Sequence, residues 1–389
     1  MTPIPQLDMH AAHDWTPDGD GPLIISGPCS AESEEQVLAT ARAVAAVPGV
    51  KMFRAGIWKP RTRPNSFEGV GVPALQWLRR VKEETGLMTT VEVANGTHVY
   101  EALKHGIDVL WIGARTTVNP FSVQEIANAL RGVDVPVLVK NPINPDLQLW
   151  IGALERLNAA GIKRLGAIHR GFSTYEKTAY RNAPKWNLAI ELRSQAPDIL
   201  MICDPSHIGG SRAVIPAIAQ RALDIAMDGL MIETHVDPDN ALSDAGQQLT
   251  PEALAELLAG LHHRRPAGDL ENPEALLADL RGEIDAADYE LLEVLQRRAN
   301  VVRAIAELKR DHKMTILQVS RWKQLLEDRL QRARRMGLEA TFVKEVYQII
   351  HDRSIKAQSA IMNEAPERAM ADDTPEGDGD AAPRQAVGN

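Results

Sequence analysis

A short apolar run, a polar or Gly/Pro-containing turn and a helix-like stretch follow one another eight times along the chain. The apolar runs cover residues 22–29, 50–56, 87–93, 109–114, 136–141, 165–171, 199–206 and 229–235. Nearly all are apolar on both faces, as in parallel strands covered by helices. Eight such units in about 240 residues match the size of a (β/α)8 barrel, whereas an open doubly wound sheet rarely has eight such regular units. The sequence therefore predicts a TIM barrel over residues 22–262, preceded by a lead of residues 1–21.

A different pattern begins after the barrel. Residues 263–271 are polar and contain Pro and Gly, which predicts a linker. Three helices are predicted beyond it, over about 273–310, 317–335 and 340–363. The first would be about 57 Å long at about 1.5 Å per residue. Because two shorter helices cannot cover the apolar stripe of so long a helix, we expect residues 272–364 to form an all-α unit that pairs with a second chain.

Composition excludes several classes of protein. Acidic residues outnumber basic ones by 52 to 43, which argues against a nucleic-acid binder. No apolar run approaches the roughly 18 residues of a membrane helix, and the N-terminus lacks the pattern of a secretory signal. Two cysteines are too few for a disulfide framework, so we expect a cytoplasmic protein. The acidic tail, residues 365–389, has nothing to build a core and is predicted to be disordered.

Chemically active side chains follow the predicted strands, where (β/α)8 enzymes hold their catalytic residues. One group consists of a thiol, an imidazole and two carboxylates: Cys29, His207, Glu233 and Asp244. A single Cys or His is more often structural, but together the four suit a divalent transition ion with an open position. A second group consists of the cations Arg54, Lys59, Arg61, Arg115, Lys140 and Arg170. Converging cations indicate a substrate with several negative charges, so the residues alone predict a metal-dependent enzyme acting on phosphorylated or carboxylated metabolites.

The first predicted helix carries two cations in its apolar stripe. The stripe consists of Leu291, Leu295, Val302 and Ile305. Arg298 and Lys309 fall on it, only about 20° apart around the helix. A buried cation is costly unless it is paired, and the stripe contains no acidic residue. On the third helix Ser354 and Gln358 share a face. Spacing alone leaves open a ligand site, a core ion pair or a plain dimerisation bundle.

Seven strings occur in order along the barrel: GPCSAES (27–33), KPRTRPNSFEGVG (59–71), GAR (113–115), KNP (140–142), HRGF (169–172), DPSH (204–207) and LSDAGQQL (242–249). With them the barrel resembles 3-deoxy-D-arabino-heptulosonate 7-phosphate (DAHP) synthase of type I-beta. The resemblance implies condensation of phosphoenolpyruvate with erythrose 4-phosphate, with release of phosphate. The alternative is 3-deoxy-octulosonate 8-phosphate synthase, a related barrel that uses arabinose 5-phosphate. That family has a KANR-type loop where this chain reads KPRT, which favours the four-carbon sugar.

The resemblance also implies a role for each residue. One divalent ion of the Mn, Fe, Zn or Co type would be bound by Cys29, His207, Glu233 and Asp244. Phosphoenolpyruvate would be bound by Arg54, Lys59, Arg115, Lys140 and Arg170, with Glu92 beside the reacting enol. The aldose phosphate would be bound by Lys59, Arg61, Thr62 and Asp244. The metal would polarise the aldehyde as a Lewis acid while the fixed cations orient the enol.

Residues 272–364 resemble the all-helical chorismate mutases, from ENPEALLADLRGEID to IIHDRSIKAQ. This implies rearrangement of chorismate to prephenate in an intertwined homodimer. The site would be lined by Arg281 from the second chain and by Arg298, Lys309, Gln318, Arg321, Ser354 and Gln358. Arginines would bind the two carboxylates, while Lys309 and Gln358 would stabilise charge on the ether oxygen. The chain departs from the common pattern at Gln318, where Asp is usual, and at Trp322, where Glu is usual.

The two resemblances together predict a bifunctional enzyme of the shikimate pathway. We expect feedback on the barrel to act through the helical domain. The competing hypothesis makes the helical domain a non-catalytic sensor or dimerisation module.

Overall fold

The computed structural model describes residues 7–17, 21–59, 67–175, 178–262, 273–317 and 319–363. The chain forms two compact units, Met1–Pro266 and Ala267–Asn389. The predicted linker (263–271) and the predicted tail (365–389) lie outside the described residues, so both stay predictions.

The first unit contains a closed barrel of eight parallel strands that neighbour one another in chain order. The strands are β1 (Leu23–Gly27), β2 (Val50–Arg54), β3 (Met88–Val93), β4 (Val109–Ile112), β5 (Val137–Lys140), β6 (Leu165–His169), β7 (Leu200–Cys203) and β8 (Gly229–Glu233). The barrel closes where β1 pairs with β8, from Leu23 opposite Gly229 to Gly27 opposite Glu233. Each strand lies within its predicted apolar run, and the predicted barrel is confirmed.

Helices α1–α9 lie between consecutive strands, and α10 follows the last strand. They are α1 (Glu34–Ala45), α2 (Pro73–Thr85), α3 (Gly96–Lys104), α4 (Ala114–Thr117), α5 (Pro120–Ala129), α6 (Leu147–Ala159), α7 (Trp186–Gln195), α8 (Pro205–Gly209), α9 (Ile215–Asp224) and α10 (Pro251–Gly260). Several begin with a capping side chain: Ser33 starts α1, Asn95 starts α3 and Asp204 starts α8, each accepting a backbone N–H from the first turn. These caps fix the short loops that leave the carboxyl ends of the strands.

Two apolar cores hold the barrel together. The larger lies between the strands and the surrounding helices, and the smaller fills the barrel interior with side chains such as Ile25, Met52 and Trp111. Trp15, from the predicted lead, joins the interior core together with Leu23 and Leu200, which begin β1 and β7. The N-terminal end of the barrel is therefore packed, and the polar residues gather at the other end.

The second unit consists of α11 (Pro273–Asp311), α12 (Val319–Arg335) and α13 (Ala340–Asn363). The helix boundaries agree with the predicted ones to within two residues. Gly337, between α12 and α13, has a φ of 75°, a left-handed conformation that glycine adopts without strain. None of the described helices is long and apolar enough to cross a membrane.

Candidate active sites

Three of the four predicted metal ligands form a cluster at the carboxyl end of the barrel. Ligand atoms of Cys29, Glu233 and Asp244 all lie within 4.8 Å of one another. The thiol of Cys29 lies 3.4 Å from Oδ2 of Asp244. Asp244 has a φ of 49°, a conformation sparsely populated by residues other than glycine and often retained at functional sites. A thiol with two carboxylates is a donor set that suits a divalent transition ion.

The fourth predicted ligand, His207, borders this cluster. Its Nε2 lies 3.7 Å from Oε1 of Glu233, and its Nδ1 lies 2.8 Å from Oδ2 of Asp204. Burial lowers the pKa of His207, although Asp204 and Glu233 oppose the shift. A neutral imidazole whose second nitrogen faces a carboxylate is the usual arrangement of a metal-binding histidine. The residues present therefore fit a divalent ion.

Burial and neighbouring charges shift the pKa values of the cluster. Burial and the nearby Glu233 raise the pKa of Cys29 to about 11, although Lys59 pulls it down. The ammonium group of Lys59 donates to the thiol sulfur at 3.1 Å. Burial alone would raise the pKa of Asp244, but His207 and a neighbouring arginine hold it below its ordinary value. The thiol is thus neutral beside an ionised carboxylate.

Two predicted phosphoenolpyruvate ligands are buried at the barrel mouth and paired with carboxylates. Nη2 of Arg54 lies 3.2 Å from Oε1 of Glu233, and Lys140 donates to Asp204 at 2.9 Å. Both cations also lie over the ring of Trp111, at 5.2 and 5.8 Å from its centroid. Nε and Nη1 of Arg54 have no hydrogen-bond partner within the described part of the chain. Buried donors left without a partner are the groups that an anionic ligand would satisfy.

Two further cations and a carboxylate complete the predicted set. Arg170 donates to Asn182 at 2.9 Å, and burial, with help from Arg115 and another arginine, lowers the pKa of Arg170 to about 10. Arg115 is exposed on α4. Glu92 accepts a hydrogen bond of 2.9 Å from the indole of Trp111. Arg61 and Thr62, the predicted aldose-phosphate ligands, lie outside the described residues.

Several side chains of the site were not assigned a role from the sequence. Arg181 donates to Asp244 at 3.0 Å and to Gln247 at 2.8 Å, and Gln247 donates to Glu233 at 2.6 Å. Gln247 lies in the LSDAGQQL string and Asp204 in DPSH, so both could have been found there. Arg181 lies in the loop between β6 and α7, where the strand pattern gives no signal.

In the helical unit, two cations of α11 meet two neutral side chains of α13. Arg298 donates to Ser354 at 2.6 Å, and Lys309 donates to Gln358 at 3.1 Å. Ser354 and Gln358 are both buried. Within the described residues neither cation has an acidic partner, so the contacts favour a ligand site over a core ion pair. A groove of about 360 Å³, lined in part by Leu295, lies beside Arg298 and Ser354.

The other predicted residues of the helical site are not brought together in a single chain. Arg281 and Arg298 are 17 residues apart on α11, which corresponds to about 26 Å along a helix. Arg281 and Arg321 are both exposed. Gln318 lies outside the described residues. Trp322 stacks on His351, with ring centroids 3.9 Å apart and planes 12° apart.

Comparison with known proteins assigns both units. The model of the DAHP synthetase I family matches residues 11–265. The chain belongs to the DAHP synthetase I family. A phospho-2-dehydro-3-deoxyheptonate aldolase from Thermotoga maritima is 31% identical over 235 residues, covering 60% of this chain and 67% of that protein. A crystal structure of the DAHP synthase from Thermotoga maritima aligns with a TM-score of 0.57 and 26% identity, over 66% of this chain and 76% of that one.

The barrel is also similar to a second kind of synthase. A 2-dehydro-3-deoxyphosphooctonate aldolase from Nitratidesulfovibrio vulgaris is 28% identical over 272 residues, which cover 61% of this chain and 90% of that protein. The chorismate mutase type II model matches residues 280–359, on the three C-terminal helices. The chain thus joins a DAHP synthase domain to a chorismate mutase domain, and the two domains make it a bifunctional enzyme of aromatic biosynthesis.

Proposed function

We propose that the barrel condenses phosphoenolpyruvate with erythrose 4-phosphate with the help of one divalent ion of the Mn, Fe, Zn or Co type. Cys29, His207, Glu233 and Asp244 would hold the ion, which would act as a Lewis acid toward the aldehyde. The observation that carries the proposal is the cluster of the Cys29 thiol with two carboxylates, bordered by Arg54 and Lys59. Because the pKa of that thiol is about 11, binding of the ion must release a proton.

The cations of the mouth would hold the carboxylate and phosphate of phosphoenolpyruvate; they are Arg54, Lys59, Arg115, Lys140 and Arg170. Arg54 supports this role because two of its nitrogens lack a partner among the described residues. Arg54 and Lys140 both lie over the ring of Trp111 and are both paired with buried carboxylates, so these cations are in place before the substrate binds. Preorganised charges of this kind orient a weak enol nucleophile without reorganisation during the reaction.

Glu92 would lie beside the reacting enol. The indole of Trp111 holds its carboxylate, and Gly113 leaves room for it, since a Cβ there would lie 2.1 Å from Oε1 of Glu92. In the proposed reaction the enol carbon would bond to the aldehyde carbon, whose oxygen takes up a proton. Water would add at C2 and lose a proton, and the C2–O bond would break as inorganic phosphate leaves.

The choice of aldose is the part of the proposal that needs a direct test. Both heptulosonate and octulosonate synthases are among the relatives, and the KPRT residues Arg61 and Thr62 lie outside the described chain. The test measures phosphate release from phosphoenolpyruvate with erythrose 4-phosphate or arabinose 5-phosphate, before and after chelation and with each metal restored. We expect activity with the four-carbon sugar that chelation abolishes. Faster turnover of arabinose 5-phosphate would establish the octulosonate alternative.

The helical unit would convert chorismate to prephenate in a homodimer. Its site would consist of Arg298, Lys309, Gln318, Arg321, Ser354 and Gln358, completed by Arg281 of a second copy. Exposed apolar side chains on α11 support the pairing: Leu291, Leu292, Val294, Val301 and Ile305 are 54, 61, 48, 54 and 40% exposed. An exposed apolar surface of this extent marks an interaction site.

Complementation between variants tests the shared site. Arg281→Ala and Arg298→Ala should each lower chorismate turnover by about 100-fold or more. A refolded equimolar mixture should regain about a quarter of the wild-type rate, because half of the dimers are mixed and each mixed dimer has one intact site. A mixture that stays inactive, with dimers shown by light scattering, would contradict the placement of Arg281.

Two further parts of the proposal concern regulation and location. Prephenate bound to the helical domain would inhibit the barrel, and an unchanged synthase rate under saturating prephenate would count against this. The alternative, a non-catalytic sensor, predicts no chorismate consumption by folded protein whose barrel has been inactivated with a chelator.

Both cysteines are free and buried, which supports a reducing, cytoplasmic location.

A further inference from the structure

The residue before Lys59 forms an aromatic stack at the barrel mouth. The rings of Trp58 and His98 lie with centroids 3.9 Å apart and planes 4° apart. Trp58 follows β2, and His98 lies in the first turn of α3, just after β3. The stack therefore joins two neighbouring loops at the catalytic end of the barrel, and neither residue belongs to the sites proposed above.

His98 is held in place by its own loop. Its backbone N–H donates to Oδ1 of Asn95 at 2.9 Å, and its Nδ1 accepts the N–H of Ala94 at 3.3 Å. An accepting Nδ1 requires the neutral ring with its proton on Nε2. Burial lowers the pKa of His98 against the opposing effect of Glu92, in agreement with a neutral ring. The imidazole is thus a fixed surface on which Trp58 rests.

Backbone hydrogen bonds join the residues on either side of Trp58 to residues 68–71. The N–H of Lys59 donates to the carbonyl of Glu68 at 2.8 Å, and the N–H of Gly71 donates to the carbonyl of Ile57 at 2.9 Å. At Gly69, which has a φ of 94°, a Cβ would lie 2.1 Å from the Ile57 carbonyl oxygen, so only glycine fits. The backbone on either side of Trp58 is therefore held by hydrogen bonds to residues 68–71, and the Lys59 ammonium donates to the Cys29 thiol.

We propose that the Trp58–His98 stack is a positioning element that holds Lys59 over Cys29 and thereby sets the affinity of the barrel for phosphoenolpyruvate. The inference rests on the proposed role of Lys59 in binding that substrate. A lysine side chain is flexible and points its charge where its backbone allows, so a fixed backbone at residue 59 removes part of the ordering that binding otherwise requires. Neither ring needs to touch the substrate.

A double-mutant cycle tests whether the stack acts through Lys59. Phosphoenolpyruvate affinity of the full-length, manganese-loaded protein is measured by calorimetry for His98→Ala, Lys59→Met and the double variant. We expect His98→Ala to weaken binding about 3- to 10-fold, the range for an aromatic pair. In the Lys59→Met background the same substitution should have little effect, because no ammonium is left to position. Equal weakening in both backgrounds, or none in either, would overturn the proposal.

Conservative and control variants separate positioning from general damage. Trp58→Phe preserves a stacked ring and should keep affinity within about two-fold, whereas Trp58→Leu should reproduce the loss caused by His98→Ala. His105→Ala, just beyond the other end of α3, is the matched control and should bind normally. Equal losses for Trp58→Phe and Trp58→Leu would contradict the stacking argument. A wild-type protein that turns over no phosphoenolpyruvate would instead overturn the proposed function, and this inference with it.

Discussion

The two candidate sites use cations in opposite settings. At the barrel mouth Arg54 and Lys140 are buried and each faces a buried carboxylate, Glu233 or Asp204. In the helical unit Arg298 and Lys309 instead donate to the neutral side chains of α13. Arg298 and Lys309 are only partly buried, so the lack of an anionic partner costs less there than it would at the barrel mouth. Their charges are therefore available to an anionic ligand.

The difference follows from how each unit fixes its residues. Backbone hydrogen bonds between neighbouring strands place every strand end of the barrel, so the described residues of the cluster come together within one chain. The three helices are held together by side-chain contacts, such as the hydrogen bonds from Arg298 and Lys309 to α13. Tyr289, Leu292 and Val301 of α11 remain 71, 61 and 54% exposed. A barrel can thus build a site alone, whereas this helical unit leaves an apolar face that a second copy would cover.

The variant Cys29→Ala should separate the two activities most clearly, because Cys29 belongs only to the proposed metal site of the barrel. Loss of a ligand to a Lewis-acidic ion should lower the synthase rate by about three orders of magnitude or more, since such an ion contributes several kcal/mol. The mutase rate of the same sample should stay at the wild-type level. Both rates and the bound metal are measured on one preparation.

Cys203→Ala is the control for this variant. Cys203 is fully buried in β7 and lies outside the thiol–carboxylate cluster, so its loss should leave metal content and synthase rate nearly unchanged. A Cys29→Ala protein that keeps both its metal and its synthase activity would break the assignment of the metal site.

The variant Arg298→Ala should have the opposite effect and lower the mutase rate without lowering the synthase rate. Arg298 would bind a substrate carboxylate, and truncating one partner of such a charge pair costs about 2–5 kcal/mol. The mutase should therefore lose about 100- to 1000-fold in kcat/KM, while the basal synthase rate is retained. Arg297→Ala, an exposed neighbour on the same helix, is the matched control. Loss of synthase activity in Arg298→Ala would show that the two units cannot be separated in this way.

The sequence predicted the barrel, its eight strands and the three C-terminal helices because both patterns are periodic. Apolar runs mark strands buried on both faces, and α13 begins and ends at the predicted residues. The cluster of Cys29 with Glu233 and Asp244 was predictable because closure of the barrel brings β1 beside β8.

The remaining contacts of the site depend on side-chain geometry that no periodicity records. Arg181 donates to Asp244 from a loop that has no strand or helix pattern. Arg54 and Lys140 both lie over the Trp111 ring because β2, β4 and β5 bring these side chains together. The stacking partner of Trp322 could not be predicted from the sequence either, because His351 is 29 residues away on another helix.

Acid should affect the barrel through His169. This ring is fully buried against Trp150, Phe172 and Trp186, and burial lowers its pKa from 6.5 to about 3. Below pH 6.5 the unfolded chain takes up a proton here that the folded chain does not bind until about pH 3. The free energy of unfolding therefore decreases as the pH is lowered from 6.5 to about 3, by about 1.4 kcal/mol per pH unit at most.

His169→Phe should reduce this acid sensitivity. The unfolding temperature of the barrel, measured by calorimetry, should drop less between pH 7 and pH 5 in the variant than in the wild type. Expressed as unfolding free energy, the wild type should lose about 2 kcal/mol more than the variant between pH 7 and pH 5. His10→Phe, at an exposed position, should keep the wild-type dependence. Equal drops in all three proteins would show that His169 gains a proton without cost to the fold.

The smallest expected effect concerns Trp322, where the resembling mutases commonly have Glu. Its stacking partner His351 lies on the same face of α13 as Ser354 and Gln358, at i, i+3 and i+7. Trp322 therefore contributes packing beside the site and no charge. Trp322→Phe should keep the mutase rate within about two-fold, and Trp322→Ala should lose about 3- to 10-fold, the contribution of an aromatic pair. A loss as large as that of Arg298→Ala would show that the indole contacts the substrate. The replacement of the usual Glu by Trp322 would then affect the reaction itself.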